Sequence, residues 1–226
     1  MPRTARLAPG GIIYHVCNRA VARLTLFEKP ADYQAFEQVL LEAHRRLPLP
    51  ILAYCIMPNH FHFVTWPRRD GELSEFFRWL THTHAMRWHA HHGTVGTGHL
   101  YQGRFKSFPA QDDDHLLTLC RYVERNALRA NLVRRAELWR YSSLWRRCNP
   151  LALDGPALCD WPIPRPRNWV AHVNRAETPA ELEALRRCVR KGRPFGSDAW
   201  VGRIVRRMRL EHTLRDPGRP TSPPPT

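Results

Sequence analysis

An α+β fold, an antiparallel sheet with helices packed on one face, is predicted by three features of the sequence. Two apolar, β-branched stretches, Leu52–Met57 and Phe61–Trp66, flank the turn signal Pro58-Asn59 and read as a hairpin. Helical stripes precede and follow it, as at Phe36, Val39, Leu40 and Ala43. The resulting β-α-β-β-α-β-α order suits a single antiparallel layer covered by helices.

The elements follow in order. Gly11–Asn18 alternates as a first strand, and Pro30–Arg46 is the first helix. After the hairpin a helix spans Leu73–His92, and a Gly- and His-rich loop, Gly93–Gly103, leads to an edge strand at Arg104–Ala110. Asp112-Asp113-Asp114 supply an N-cap and favourable charge for a helix to about Arg129. We expect a main domain over 1–148 and a Pro-rich linker over 149–173. A basic two-helix module over 174–212 and a disordered tail over 213–226 complete the chain. In that module Thr178-Pro179-Ala180-Glu181 is a capping box opening a helix to Lys191. A second helix, Asp198–Leu210, carries Arg203, Arg206, Arg207 and Arg209. The pair reads equally as a helix-turn-helix-like unit or as a plain hairpin packed on the main domain.

His60-Phe61-His62 is the most informative triplet. On a strand, residues i and i+2 project from one face, so two imidazoles can converge while Phe61 and Phe63 turn toward a core. Two neutral imidazoles at that spacing can hold a divalent metal, although packed or hydrogen-bonded histidines have the same spacing. His82/His84 and His89/His91 repeat the interval within a helix, where residues two apart lie roughly 200° apart around the axis. Together with His92, these histidines read as a solvated helix face.

Charge points to a polyanionic partner. The 226 residues carry a formal net charge of +15. Three of the 35 basic residues are lysines (Lys29, Lys106, Lys191), leaving 32 arginines, whose planar forks suit phosphate and base contacts. Codon bias would explain Arg over Lys but not a charge this positive. The six cysteines show no C-x-x-C spacing and read as reduced thiols of a cytoplasmic protein. Neither a signal-peptide pattern nor a stretch approaching ~20 apolar residues appears, so no membrane span is expected. A phosphate-cradling G-x-x-x-x-G-K-[ST] motif is also missing, which argues against a P-loop enzyme.

On the Asp-capped helix, Leu116, Cys120, Val123 and Ala127 form the buried stripe, and Tyr122 and Asn126 sit one turn apart on its flank. This places a phenol beside an amide, with Arg121, Arg125 and Arg129 nearby. A boundary tyrosine and a solvated asparagine would give the same pattern.

Four segments together resemble the REP-associated tyrosine transposases of the HUH single-strand DNA endonuclease superfamily. They are Gly11 with Tyr14-His15-Val16, Tyr54 to His62, Gly98 to Ser107, and Arg121 to Ala130. The likeness runs from about residue 10 to 147, with a further resemblance over the tail from Asn174 to Pro220. Ala127 departs from the proline usual after the asparagine. The resemblance implies an HUH/ferredoxin-like palm with a C-terminal helical extension. It also implies Tyr122 as nucleophile, with His60, His62 and Asn126 as ligands of Mg²⁺ or Mn²⁺. The reaction implied is cleavage and transfer of single-stranded DNA bearing a REP/BIME-like hairpin, through a 5′-phosphotyrosine link and a free 3′-hydroxyl. Because one phosphodiester replaces another, no ATP is needed.

Arg104, Lys106, Arg121, Arg125, Arg19 and Asn59 are the expected DNA contacts, each with a solvated surface group as its alternative. The implied setting is a bacterial cytoplasm, at the nucleoid, as a monomer or homodimer. A non-cleaving nucleic-acid-binding regulator on the same fold would be expected to lose Tyr122 or a ligand, and none is lost. A hydrolase using activated water would not need Tyr122.

Overall fold

The computed structural model describes residues 7–152 and 155–215. Four antiparallel strands, β1 (Ile13–Arg19), β2 (Ile51–Met57), β3 (His60–Thr65) and β4 (Lys106–Ala110), form one sheet in the order β2-β3-β1-β4. The hairpin is β2–β3, turning at Pro58-Asn59, and β4 lies at the edge, as the sequence predicts. β1 fills the centre beside β3, so residues far apart in sequence meet in register: Cys17 faces His62 and Arg19 faces His60. Across the other side of β1, Cys17 faces Lys106.

Helices cover both faces of the sheet, not one. The first face carries Tyr14, Val16, Tyr54, Ile56, Phe61 and Phe63, packed under α1 (Pro30–Arg46) and α2 (Glu72–His92). The second carries Ile13, Ala53, Cys55, Met57 and Val64 under α3 (Asp114–Glu124). The physical reason lies in β2, where all seven residues are buried. An unbroken apolar strand needs cover on both sides, or about 25 cal/mol is forfeited for each Å² of apolar surface left wet.

The predicted helix to Arg129 is interrupted at Arg125, with α4 (Asn126–Arg129) resuming after it. Hydrogen bonds from Arg125 N to Arg121 O and from Arg129 N to Arg125 O bridge the interruption, so Tyr122 and Asn126 remain neighbours. α3 begins where the aspartates predict, with the Asp113 carboxylate accepting from the His115 backbone N–H. Its last residue, Glu124, is fully buried and ties the helix to two others. It accepts from Ser143 Oγ on α5 (Ser143–Cys148) and from Trp169 Nε1 on α6 (Trp169–Asn174).

The Pro-rich stretch 149–173 thus contains a helix, and it packs on the core. Cys159 N donates to Ile51 O, Trp161 Nε1 donates to Leu52 O, and Trp169 is buried. Beyond it, α7 (Pro179–Lys191) opens on the predicted capping box, and α8 (Asp198–Met208) follows. Leu185 and Cys188 of α7 join the core of the second face, whereas Ile204 and Met208 of α8 join that of the first. Between them Phe195 donates to Pro109 O and accepts from Gln111 N, covering the edge of β4. Of the expected tail, 213–215 are described, with Thr213 buried, and 216–226 lie outside the described residues.

His84 departs from the solvated-face expectation. It completes the buried stripe of α2, and its Nδ1 bonds the Tyr101 hydroxyl at 2.8 Å.

Candidate active site

The site lies on the second face, where alternation along β3 and β1 brings His60, His62, His15 and Cys17 together. His60 and His62 line a cleft of about 300 Å³ with Cys17, Asn18, Arg19, Gln102, Gly103, Arg104 and Lys106, and Val189 and Arg190 of α7 close one side. The two imidazole centroids are 5.0 Å apart with planes at 84°. Burial, helped by Arg19 and Arg129, pushes the His60 pKa down to about 3. Burial and the neighbouring His15 hold His62 well below the usual histidine range. Both rings are therefore neutral at physiological pH, as metal ligation requires.

Each ring has one nitrogen engaged. His60 Nδ1 lies 2.6 Å from Asn59 Oδ1, and His62 Nδ1 lies 2.8 Å from His15 Nε2. Neither Nε2 has a hydrogen-bond partner among the described residues.

Tyr122 stands over this face, its ring centroid 6.0 Å from that of His62 and edge-on to it. Its side chain is nearly buried, and that desolvation raises its pKa, opposed by the cations Arg129 and Arg186. The Arg129 guanidinium lies 4.3 Å from the Tyr122 ring centroid, and it also donates to Asn126 Oδ1 at 3.0 Å. The Nδ2 of Asn126 is buried without a partner. Glu177, just before α7, holds Arg129 in place through a 2.7 Å ion pair.

The six expected DNA-contact residues divide into three groups. Arg19, Arg104 and Lys106 are exposed at the cleft and make no ion pair with a carboxylate among the described residues. Arg121 and Arg125 instead face the C-terminal segment. Arg121 is buried and donates to the carbonyls of Arg175 and Ala176; Arg125 donates to the Arg175 carbonyl and lies 3.4 Å from Glu177. Asn59 sits behind His60, with Nδ2 donating to Arg23 O at 3.4 Å.

Sequence reasoning missed His15 and Cys17. With His62 they form a group whose ligand-type atoms all lie within 4.8 Å of one another. The available signal was the i, i+2 spacing of His15 and Cys17 on a strand, the same argument that selects His60 and His62.

Comparison with known proteins bears on the fold and the family. A solved structure described as a REP-associated tyrosine transposase bound to a REP hairpin superposes with a TM-score of 0.54 at 18% identity. The match covers 79% of this chain and 93% of that one, and it shows a shared fold. No curated protein matches the sequence. The profile of the family described as "Transposase IS200 like" matches residues 10–126. That match takes in the central strands, His60, His62, Tyr122 and Asn126, and more than half of the chain, which belongs to the IS200-like transposase family.

Proposed function

We propose that this transposase cleaves and rejoins single-stranded DNA next to REP-type hairpins, using Tyr122 as nucleophile and a divalent metal held by His60, His62 and Asn126. The observation that carries the reading is the placement of Tyr122 edge-on to His62, on the sheet face whose histidines line a basic cleft. The hairpin preference rests on the structural neighbour, whose DNA partner is a REP hairpin.

The residues suit a metal. His60 and His62 are neutral and line the cleft, and the nitrogen each engages within the fold is Nδ1, not Nε2. Asn126 Oδ1 accepts from Arg129 and keeps a second lone pair. A mixed set of imidazole nitrogens and an amide oxygen suits Mg²⁺ or Mn²⁺ better than a closed zinc site. When bound, the ion supplies Lewis-acid stabilisation of charge on the phosphate.

The chain's own groups do the rest. Tyr122 Oη forms a bond to phosphorus as the bond to the 3′ oxygen breaks. The phenol gives up a proton and the departing 3′ oxygen takes one, leaving a 5′-phosphotyrosine and a free 3′-hydroxyl. Arg129, against the Tyr122 ring, favours the phenolate that burial disfavours. Arg19, Arg104 and Lys106 draw the backbone into the cleft. The reverse step onto a new 3′-hydroxyl rejoins the strand without ATP.

Purified protein incubated with end-labelled hairpin DNA and Mn²⁺ tests this. We expect a denaturation-resistant adduct that retains the label only when it lies 3′ of the cut, and that EDTA abolishes. Metal-independent binding with neither adduct nor cleavage would favour a non-cleaving regulator.

A further inference from the structure

We propose that His15 and Asn59 are positioning residues that hold the two ligand histidines as Nδ1–H tautomers, so that both Nε2 lone pairs face one cation. The inference rests on the metal reading above and deepens it.

A histidine can ligate through Nε2 only if its proton sits on Nδ1, and the partner of Nδ1 decides whether that tautomer is favoured. For His60 the partner is Asn59 Oδ1, at 2.6 Å. An amide can present either end, but here Nδ2 is drawn to Arg23 O, which leaves the oxygen, an acceptor only, toward the ring. That carbonyl lies in a turn where Ala22 and Arg23 hold φ of 50° and 60°, a left-handed conformation unfavourable for side chains other than glycine. The turn is fixed in place, since Ala20 N donates to Asn59 O and Leu26 N to Pro58 O.

For His62 the partner is His15 Nε2, at 2.8 Å. His15 is fully buried, stacked on Phe108 at 4.7 Å, and its Nδ1 meets no partner. A buried imidazole left half-satisfied is destabilising, a cost that a purely structural position would avoid by carrying an apolar residue. Its one bond is to His62. With a cation on His62 Nε2, His15 accepts from the Nδ1–H of His62 and fixes the ring plane.

The test is Mn²⁺ affinity, read by electron paramagnetic resonance of the free ion, in the full-length protein. His15→Leu and Asn59→Ala should each weaken binding about 10- to 100-fold, the usual effect of losing such a partner. His15→Gln and Asn59→Asp, which keep an acceptor oxygen, should stay within a few-fold of wild type. Nitrogen-15 spectra of the metal-free protein should show His60 protonated at Nδ1, and Asn59→Ala should move that proton toward Nε2. The inference is overturned if the apolar variants bind Mn²⁺ like wild type, or if the acceptor-keeping variants lose as much as the apolar ones. His60 protonated at Nε2 in the wild type would overturn it too, even if His15→Leu fails to fold. Wild-type protein that binds no Mn²⁺ would sink the metal reading itself, a result distinct from variants that match a binding wild type.

Discussion

The two faces of one sheet treat their histidines differently. On the face under α1 and α2, His84 is buried among aromatic rings, and its Nδ1 bonds the Tyr101 hydroxyl. On the face under α3, His60, His62 and His15 are also buried or nearly so. There His15 Nδ1 and Asn126 Nδ2 have no partner, and the rings of His60 and His62 open on a basic cleft. Burial alone therefore does not mark a functional histidine. What separates His84 from His15 is that the buried Nδ1 of the first is bonded within the fold and that of the second is not, beside rings that open on the cleft.

Mutation separates the two faces most sharply. Phe61, fully buried on the first face, should cost about 3–5 kcal/mol of stability as Phe61→Ala, measured by denaturant unfolding. On the second face, His62→Ala should abolish metal-dependent cleavage with a smaller stability loss than Phe61→Ala. A larger loss than Phe61→Ala would make the second face another core.

Glu124 should behave as structure although it is two residues from Tyr122. Glu124→Ala strips the acceptor from Trp169 Nε1 and one of two from Ser143 Oγ, so about 3 kcal/mol of destabilisation is expected, with the same assay as check.

The first-face histidine has a pH signature. Burial holds the His84 pKa down to about 3, against a usual 6.5. The unfolded chain then binds the extra proton between those values, so stability is full above 6.5 and is lost as pH falls toward 3. His84→Gln should flatten the slope of unfolding free energy in that window by up to one proton. An unchanged slope would place His84 in water.

The smallest effect lies at the cleft. Arg104→Gln or Lys106→Gln should weaken binding to all single-stranded sequences alike and reduce the salt slope by about 0.7 each. Equal losses from Arg121→Gln without destabilisation would contradict its role as a clamp for the carbonyls of residues 175 and 176.

Legibility in the sequence followed the range of the interactions. The β2–β3 hairpin, the α3 cap, the α7 capping box and the His60/His62 pair were readable because turn chemistry and period-2 alternation are local. The second helical layer was missed although its signal was present, since the unbroken apolar run of β2 leaves no wet face and calls for cover on both sides. The docking of Arg121 and Arg125 was not readable, as their partners lie some 50 residues downstream. His15 sat in plain view, but only the pairing of β1 with β3 reveals what it touches.

We propose that the second face does its chemistry through Tyr122. Trypsin cuts after Arg121 and Arg125, so the DNA-linked adduct, digested with nuclease and trypsin, isolates this residue from the other tyrosines. Mass spectrometry should find the phosphonucleotide on the peptide Tyr122-Val123-Glu124-Arg125, and Tyr122→Phe should yield no adduct. A label on Tyr14, Tyr33, Tyr54, Tyr101 or Tyr141, or cleavage undiminished in Tyr122→Phe, would contradict the account.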